Sequence, residues 1–373
     1  MDNCDFFVIP TPFQAVLDDV GWFCGYDKRK SGGPSRTGIN RFHKPDDYRA
    51  IEYVGKNIGQ RINCAFVLGE WDLKNEMKEL PNFSHYGENW DNRRFRDLDE
   101  MIEIVKTVNH SKYIDMAVHG LFHGYYMEGT DNTDTSDFYF RIHKKLFMIP
   151  EKEVRQRLDK FFELAKSNGF KKEINSFVPP SFVYRKDELS RILKDYGIKY
   201  MSTIFRTMDS DEKEEYAVVE NGIINSDRIN NIVPWDALEF DFSTLKPTTG
   251  IFGIHWPNIC GNDPAHYHKA ADSAIEYFKK CGAQYGTVMS SGMDFCATQE
   301  IYKRYTKIAR NENEIKLDFS NIPQADGLLN EFCISSKKPI SGWENCTISE
   351  YERFDGHITY KIIPNGKIAT VRF

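Results

Sequence analysis

The feature that most constrains the fold is an alternation of short apolar runs with amphipathic stretches over roughly the first 300 residues. The stretch Asn63–Gly69 is a short apolar run that ends in glycine, as is typical of a buried strand. Leu98–His110 has apolar residues at helical spacing, and Tyr113–Gly120 is again strand-like. This alternation predicts a mostly parallel sheet or barrel, whose chemistry lies at the carboxyl ends of the strands.

The same pattern continues to residue 282. Further segments with helical spacing are 44–60, 150–170, 186–198 and 266–282, and further strand-like segments are 175–178, 199–204 and 249–256. The acidic segment Met208–Asn230 departs from the pattern, and we interpret it as a solvated insertion with a hairpin-like turn at its VENG sequence. After Arg310 the chain consists of short alternating runs separated by DG and NG turns, which predict hairpins. We therefore divide the chain into a barrel domain, residues 1–305, and a small β-rich module, residues 306–373.

Composition excludes several classes of protein. The net charge of −6 and the pI near 6.0 do not suggest a nucleic-acid-binding surface. No apolar run approaches the roughly 18–20 residues of a membrane span, and the N-terminus has no signal-peptide pattern, so we expect a cytoplasmic protein without a transmembrane segment. The eight cysteines are scattered without a CxxC pair, which favours reduced thiols and leaves a disulfide between Cys333 and Cys346 open.

Two histidines follow one of the predicted strands. His119 and His123 are four residues apart in the sequence HGLFH, directly after the apolar run Ile114–Val118. Imidazole is the commonest metal ligand near neutral pH, and a compact turn can aim both rings at one point. The pair lacks the glutamate of HExxH, so a zincin protease is not indicated. A histidine pair alone is more often structural, but the position at a strand end favours a metal site.

Two adjacent aspartates follow the first strand-like run. Asp18 and Asp19 alone would indicate a turn or a helix cap. Together with two histidines, one carboxylate completes a set that leaves coordination positions open for water and substrate, and Zn²⁺ in such a set lowers the pKa of bound water toward ~7. The other carboxylate can take a proton. Because adjacent strand residues point to opposite faces, both can serve one site only where the strand bends.

Two more segments add to this set. His255 ends an apolar strand beside Trp256, a place that suits either a general acid or a buried histidine satisfied by backbone. The Pro179–Pro180 pair stiffens a loop that either walls a pocket or is an ordinary connection.

In this order, the segments LDDV, HGLFH, FVPPSF and IFGIH resemble the motifs of the polysaccharide deacetylase family (NodB-homology, similar to carbohydrate esterase family 4). The resemblance covers about residues 5–300 and looks most like a divergent intracellular branch. It implies an α/β fold, a distorted (β/α) barrel of NodB type, followed here by the all-β module. It also implies that Asp18 is the catalytic base, that Asp19, His119 and His123 bind the metal, and that His255 is the acid.

The resemblance further implies a divalent metal, zinc as first choice with cobalt, nickel or manganese as alternatives. The expected reaction removes an acyl group, most simply N-acetyl, from a sugar or glycan intermediate of biosynthesis. Aromatic and polar residues beside the motifs are expected to bind the substrate, although core packing is the alternative for the aromatic ones: Trp22, Glu70, Tyr125, Tyr126, Pro180, Asp241 and Trp256.

Several positions depart from the family pattern. Gly120 stands where the family has Ser or Thr, whose side chain supports the metal loop. No arginine precedes Pro179, although the family uses one to steer the catalytic aspartate. Asp236 and Asp241 are both candidates for the carboxylate that orients His255. The long segment 71–95 is expected to form part of the substrate cleft, or else to be an insertion elsewhere on the surface.

Two other functions remain open at this point. A metal-independent glycoside hydrolase would use two carboxylates, Asp18 with Glu70 or Asp241. A catalytically degenerate glycan-binding protein would keep the fold and the cleft without turnover, and the changes at Gly120 and before Pro179 favour it.

Overall fold

The computed structural model describes residues 6–23, 41–84, 86–92, 97–129, 136–185, 188–205, 218–229, 233–235 and 237–373. Its α-helices are α1 (Pro45–Ile58), α2 (Leu98–His110), α3 (Glu151–Ser167), α4 (Glu188–Asp195), α5 (His268–Gly282) and α6 (Met293–Tyr305). Its strands are β1 (Phe7–Val8), β2 (Thr11–Val20), β3 (Ile62–Val67), β4 (Ile114–Gly120), β5 (Tyr139–Ile142), β6 (Lys145–Met148), β7 (Ile174–Phe177), β8 (Tyr200–Thr203), β9 (Val218–Glu220), β10 (Ile223–Ile229), β11 (Gly250–His255), β12 (Thr287–Met289), β13 (Lys307–Arg310), β14 (Glu314–Asp318), β15 (Phe332–Ser336), β16 (Gly342–Glu344), β17 (Cys346–Phe354), β18 (His357–Pro364) and β19 (Ile368–Arg372).

Seven parallel strands close into a barrel in the order β2, β3, β4, β7, β8, β10, β11 and back to β2. The closing pair runs in register from Gly250 opposite Phe13 to His255 opposite Asp18. Outside this ring, β12 lies parallel to the first residues of β2, and β9 is antiparallel to β10. The distorted (β/α) barrel predicted from the sequence is therefore confirmed.

The helices form where local signals and apolar periodicity agree. In α2, the side chain of Asp97 accepts hydrogen bonds from the backbone N–H groups of Asp99 and Glu100, which caps the first turn. In α1, Pro45 occupies the first turn and Gly59 ends the helix with a left-handed φ of 70°. The bounds of α2 match the sequence prediction because the capping residue lies directly before the first residue of the apolar helical pattern.

The barrel interior is packed at the starts of its strands. Tyr200, Ile224 and Ile251 lie at the beginnings of β8, β10 and β11 and belong to one buried cluster with side chains of α6. The same cluster includes Val16, Ala65 and Ala117 from the strands, and Met293, Cys296, Ala297 and Ile301 from α6. This cluster joins α6 to the barrel strands.

The C-terminal residues form two antiparallel four-stranded sheets, β1-β15-β18-β17 and β13-β14-β19-β16, around a separate apolar cluster. Strand β1 pairs with β15, with Phe7 opposite Ser336, although the sequence analysis counted these first residues with the barrel. The boundary between the barrel domain and the C-terminal module, placed between residues 305 and 306, remains a prediction.

The interpretation of Met208–Asn230 as a solvated insertion is wrong for its described part, residues 218–229. This part is a hairpin, with its turn at Asn221–Gly222 as the VENG sequence indicated, and its second strand, β10, belongs to the barrel. The strand escaped detection because four consecutive polar residues, 225–228, follow Ile223 and Ile224 and interrupt the apolar pattern. Residues 206–217 lie outside the described part of the chain.

Two smaller points concern the cysteines and membranes. The six described cysteines are free and buried, so Cys333 and Cys346 form no disulfide. Cys4 and Cys24 lie outside the described residues. Within the ranges that the structure describes, no helix combines the length and the apolar character that crossing a membrane requires.

Candidate metal and catalytic site

A bulge at the end of β2 brings both aspartates to the same cavity. Asp18 and Asp19 are 2% and 5% exposed, and both line it. The register of β2 against β3 shifts between Leu17 and Val20, and Asp19 adopts a left-handed φ of 62°. Such a bulge breaks the alternation of side chains along a strand. The bend that the sequence argument required at Asp18–Asp19 is therefore present.

The two histidines of HGLFH face Asp19. Nε2 of His119 lies 3.4 Å from Oδ1 of Asp19, and Nε2 of His123 lies 3.9 Å from the same oxygen. Nδ1 of His119 is 2.7 Å from the carbonyl oxygen of Val178 at the end of β7, a contact that fixes the ring and leaves Nε2 for the cavity. One ligand atom from each of the three residues lies within 4.8 Å of the others.

This arrangement fits a small divalent metal. Zn²⁺ bonds of about 2.0–2.1 Å in a tetrahedron separate the ligand atoms by roughly 3.3 Å. The observed separations of 3.4 and 3.9 Å need only small adjustments of the side chains. Oδ1 of Asp19 is buried and has no hydrogen-bond partner among the described residues. A buried carboxylate oxygen without a donor is costly unless a cation satisfies it.

The electrostatics of the site favour an ionised Asp19. Burial raises the pKa of Asp19, but the neighbouring imidazoles, His119 first, outweigh burial and hold the pKa below its usual value. The pKa of His119 is raised, since Asp19 and Asp18 outweigh the burial that lowers it. Asp19 therefore offers a charged ligand oxygen.

Asp137 supports the loop that carries His123. Its carboxylate accepts hydrogen bonds from the backbone N–H groups of Leu121 and Phe122, both at 3.2 Å, and of His123 at 2.7 Å. Gly120 makes room for this carboxylate: with a φ of 118°, a Cβ on Gly120 would lie 2.2 Å from Oδ2 of Asp137. Where the resemblance leads us to expect a supporting Ser or Thr side chain, this chain has Gly120, and the carboxylate of Asp137 supports the loop instead.

A buried arginine, Arg157, pairs with the carboxylate of Asp137. Nη1 of Arg157 lies 3.3 Å from Oδ1 of Asp137, and both side chains are almost fully buried. Nη2 of Arg157 donates to the backbone carbonyl oxygens of Pro81 and Asn82, both at 2.9 Å. Through Arg157, Asp137 thus links the loop that carries His123 to the segment around residue 82. Asp137 was not predicted from the sequence.

Arg228 holds Asp18 in a two-pronged ion pair. Its Nη1 and Nη2 donate to Oδ1 and Oδ2 of Asp18 at 3.1 and 2.9 Å, and both side chains are buried. The arginine comes from β10, the strand misread as an insertion. The resemblance assigns the steering of Asp18 to an arginine before Pro179, and Arg228 makes that contact here.

The surroundings of Arg228 are shaped to hold its guanidinium. Gly253 on β11 leaves space for it, because a Cβ there would lie 1.6 Å from Nη2 of Arg228. The ring of Phe182 covers the guanidinium, with Cζ 4.7 Å from the ring centroid.

His255 approaches the other oxygen of Asp19. The β2–β11 register places it opposite Asp18, and its Nε2 lies 3.6 Å from Oδ2 of Asp19. Its backbone N–H donates to Oδ1 of Asn258 at 3.0 Å. Burial lowers the pKa of His255, more than the nearby carboxylates raise it. Nδ1 of His255 has no hydrogen-bond partner within the described ranges, so Asp241 does not orient the ring.

The two aspartates and the three histidines meet in one cavity of about 200 Å³. Its described lining consists of Asp18, Asp19, His119, His123, Ser181, Phe182, Trp235 and His255. Ser181 and Phe182 both have left-handed backbone, with φ of 50° and 59°. The N–H of Ser181 donates to Nε2 of His123 at 3.3 Å, so this amide points into the cavity.

The aromatic residues expected to bind substrate lie instead in the core. Trp22 and Trp256 are fully buried, Tyr125 is 3% exposed, and Tyr126 is half-buried. The ring of Trp256 packs against His43, and the hydroxyl of Tyr125 bonds to Asn82 and Glu153. None of the four lines the described cavity, so the alternative of core packing holds. Their expected role fails because the loops after the strands fold these rings inward.

The expected polar contacts are also located elsewhere. Glu70 is buried outside the cavity lining, and its carboxylate accepts a hydrogen bond from the backbone N–H of Phe23. Asp241 is exposed and caps a 3₁₀ turn, accepting from the N–H of Ser243 at 3.0 Å. Asp236 lies outside the described residues. Pro180 begins the 3₁₀ turn that carries Ser181, so it shapes the wall without lining the cavity.

The segment 71–95 does not form the described cleft. Its residues Trp71, Met77, Phe83 and Trp90 are buried in the main apolar cluster, and none of its described residues lines the cavity. The expectation of a cleft element here is wrong, because these apolar side chains pack against the outside of the barrel.

Comparison with known proteins finds similarity in structure alone. No protein-family model and no curated protein matches the chain. Similar solved structures include a proposed polysaccharide deacetylase from Mycobacterium smegmatis (13% identity, TM-score 0.40, covering 84% of this chain and 97% of that one). A family 4 carbohydrate esterase from Bacillus anthracis is 11% identical (TM-score 0.34, 78% and 84% covered). A GH57-type branching enzyme from Pyrococcus horikoshii is 12% identical (TM-score 0.34, 58% and 47% covered), so this chain spans less than half of it. All three TM-scores are below 0.5, so the function is inferred from this chain's own side chains.

Proposed function

We propose that the protein is a metal-dependent hydrolase that removes an acyl group, most simply N-acetyl, from a sugar. One observation carries this proposal: a buried Asp-His-His set, an arginine-held carboxylate and a third histidine converge on one cavity. Zinc is the metal we expect, since the donor set of one carboxylate and two imidazoles suits it. The metal would be held by Asp19, His119 and His123.

In this proposal, each polar group that faces the cavity has its own part in the reaction. Bound Zn²⁺ would lower the pKa of a water molecule toward ~7 and polarise the acyl carbonyl. Asp18, fixed by Arg228, takes the proton from the attacking water. With Nε2 of His123 committed to the metal, the N–H of Ser181 that contacts this nitrogen would be left to donate to the acyl oxygen as negative charge develops on it. His255 gives a proton to the departing nitrogen.

The two alternatives from the sequence receive less support. A glycoside hydrolase needs two carboxylates on opposite sides of the scissile bond. The carboxylates among the described lining are the adjacent Asp18 and Asp19, while Glu70 and Asp241 lie elsewhere. The hypothesis of a catalytically degenerate binding protein was based on the glycine at position 120 and on the missing arginine before Pro179. Asp137 and Arg228 now account for both, so these changes no longer indicate lost activity.

The test is metal analysis of the purified protein together with acetate release from a panel of N-acetylated sugars. Asp19→Ala and His123→Ala should lose both bound zinc and acetate release, because each removes a ligand. Asp241→Ala, an exposed aspartate away from the cavity, is the matched control and should keep both. Zinc content and acetate release that survive in the two ligand variants would refute the proposal.

A further inference from the structure

The turn after β7 that carries Ser181 has a strained backbone. Ser181 and Phe182 are consecutive residues with left-handed φ angles of 50° and 59°. Residues with a Cβ adopt this region at a cost in free energy, and such strain persists only where the surrounding structure holds the backbone in place. Inside the turn, the N–H groups of Phe182 and Val183 donate to the carbonyl oxygens of Pro179 and Pro180 at 2.9 and 3.1 Å. These bonds close the turn locally, so the contacts that fix it relative to the barrel lie outside it.

Two backbone groups of this turn are tied to neighbouring strands. Oγ1 of Thr203, the last residue of β8, donates to the carbonyl oxygen of Phe182 at 3.1 Å. The N–H of Arg185 donates to the hydroxyl of Tyr139, on β5, at 3.1 Å. Thr203 and Tyr139 are almost fully buried, so water does not compete for either bond. The turn is therefore anchored at the strained pair and again just after it.

A third bond joins Tyr184 to Glu220. The hydroxyl of Tyr184 donates to Oε2 of Glu220, the last residue of β9. The two residues are 0% and 3% exposed. Burial first, and then Glu220, raise the pKa of Tyr184, so its hydroxyl keeps the proton that it donates. A hydroxyl that donates to a carboxylate makes a charge-assisted bond, roughly twice as strong as a neutral one.

The hairpin that contains Glu220 also supports the expected base. Glu220 lies opposite Ile223 at the turn of the hairpin, and β10, the second strand, carries Arg228, which pairs with Asp18. The guanidinium of Arg228 also lies against the ring of Phe182, with Cζ 4.7 Å from the ring centroid. One hairpin thus contacts the base through Arg228, and it contacts the turn through both Arg228 and Glu220.

We propose that Tyr184 and Glu220 are positioning residues that hold the turn in its left-handed conformation, so that the N–H of Ser181 faces the acyl oxygen of the substrate. Neither residue belongs to the described lining of the cavity, so each acts through the backbone of the turn. Without their bond, the turn can relax toward an ordinary conformation, and the N–H turns away from the cavity. The role of this N–H rests on the proposed function, whereas the hold on the turn can be measured without metal or substrate.

Hydrogen exchange in the full-length, metal-free protein measures this hold. The amides of Phe182 and Val183, which close the turn, should exchange at least about tenfold faster in Tyr184→Phe. Glu220→Leu should have the same effect, and Glu220→Gln, which keeps an acceptor oxygen, should restore most of the protection. Tyr277→Phe is the matched control, since the buried Tyr277 donates its hydroxyl to a backbone carbonyl outside the cavity lining. Exchange of the two amides in this control should equal that in wild type.

Kinetics test the role in the reaction, with an N-acetylated sugar that the enzyme hydrolyses. Tyr184→Phe should lower kcat about tenfold and leave KM within about twofold, because the N–H of Ser181 acts on charge that develops in the transition state. Ser181→Gly keeps this N–H, and glycine adopts the left-handed region without the cost of a Cβ. In the Ser181→Gly chain, the added Tyr184→Phe should therefore lower kcat no more than about threefold. A merely structural loss would be the same in both chains.

The outcomes separate this inference from the proposed function. Unchanged exchange in Tyr184→Phe, or a loss of kcat that is equal with and without Ser181→Gly, would overturn the positioning role. Faster exchange in Tyr184→Phe, with no acetate release from any sugar by wild type, would leave the hold on the turn standing and refute the proposed function.

Discussion

The ion pair between Asp18 and Arg228 gives the sharpest prediction for a single contact. Two hydrogen bonds of 3.1 and 2.9 Å join groups that are 2% and 0% exposed. Removing one partner leaves the other charge buried and unpaired, which costs about 3–5 kcal/mol. Arg228→Met and Asp18→Asn should therefore each lower the free energy of unfolding by about this amount.

The double variant should recover most of the loss, because no buried charge is left. Since each single variant loses about 3–5 kcal/mol and the double variant little, the coupling energy of the cycle approaches the sum of the two single losses, about 6–10 kcal/mol, far above the 0–1 kcal/mol of exposed pairs. Urea unfolding of the four metal-stripped proteins at one pH measures it, with comparable m-values as the check on two-state behaviour. Losses in the double variant that equal the sum of the single losses would refute the pairing.

Three further predictions concern two glycines that pack against residues of the site and one buried glutamate away from it. Gly120→Ser should weaken zinc affinity at least about tenfold in a zinc titration, because the new Cβ would lie 2.2 Å from Oδ2 of Asp137; unchanged affinity would contradict it. Gly253→Ala should displace the guanidinium of Arg228 and lower kcat about 100-fold with zinc still bound, and loss of zinc instead would count against a specific role. Burial raises the pKa of Glu300, on α6, to about 7, and Oε2 of Glu300 has no hydrogen-bond partner in the described part of the chain. Since a carboxyl with a raised folded-state pKa stabilises only while protonated, the free energy of unfolding should fall by about 1–3 kcal/mol as the pH rises from 4.5 to 7; Glu300→Gln should remove this slope in urea unfolding followed across pH.

The fold and the Asp19-His119-His123 group were predictable because their signals are local. The cap and apolar spacing of α2 define its bounds within a few residues of sequence. The histidine pair of HGLFH and the adjacent aspartates each occur within one short segment, directly after apolar strands. Since parallel strands of a barrel end at one edge, short segments far apart in the chain could be expected to meet there.

The supporting residues were not predictable because their contacts are distant in the chain. Arg228 is 210 residues from Asp18, and it occurs in a strand with too few apolar residues to be detected. Asp137 bonds to backbone N–H groups 14–16 residues away, and no side-chain pattern records such bonds.

The tryptophans show a different limit of sequence reasoning. Trp22, Trp256 and Trp235 all lie near strand ends or motifs, yet the first two are buried and only Trp235 is exposed at the cavity. Burial depends on how the following loop folds back on the barrel. In the case of Trp235, the amide of Asn258 23 residues later holds that loop.

The most direct test of the central claim is acetate release from N-acetylated sugars by protein that has been stripped of metal and then titrated with zinc. The account predicts that stripping abolishes acetate release and that one equivalent of zinc restores it. Equal rates with and without metal, or no acetate release from any sugar at one equivalent of zinc, would contradict it.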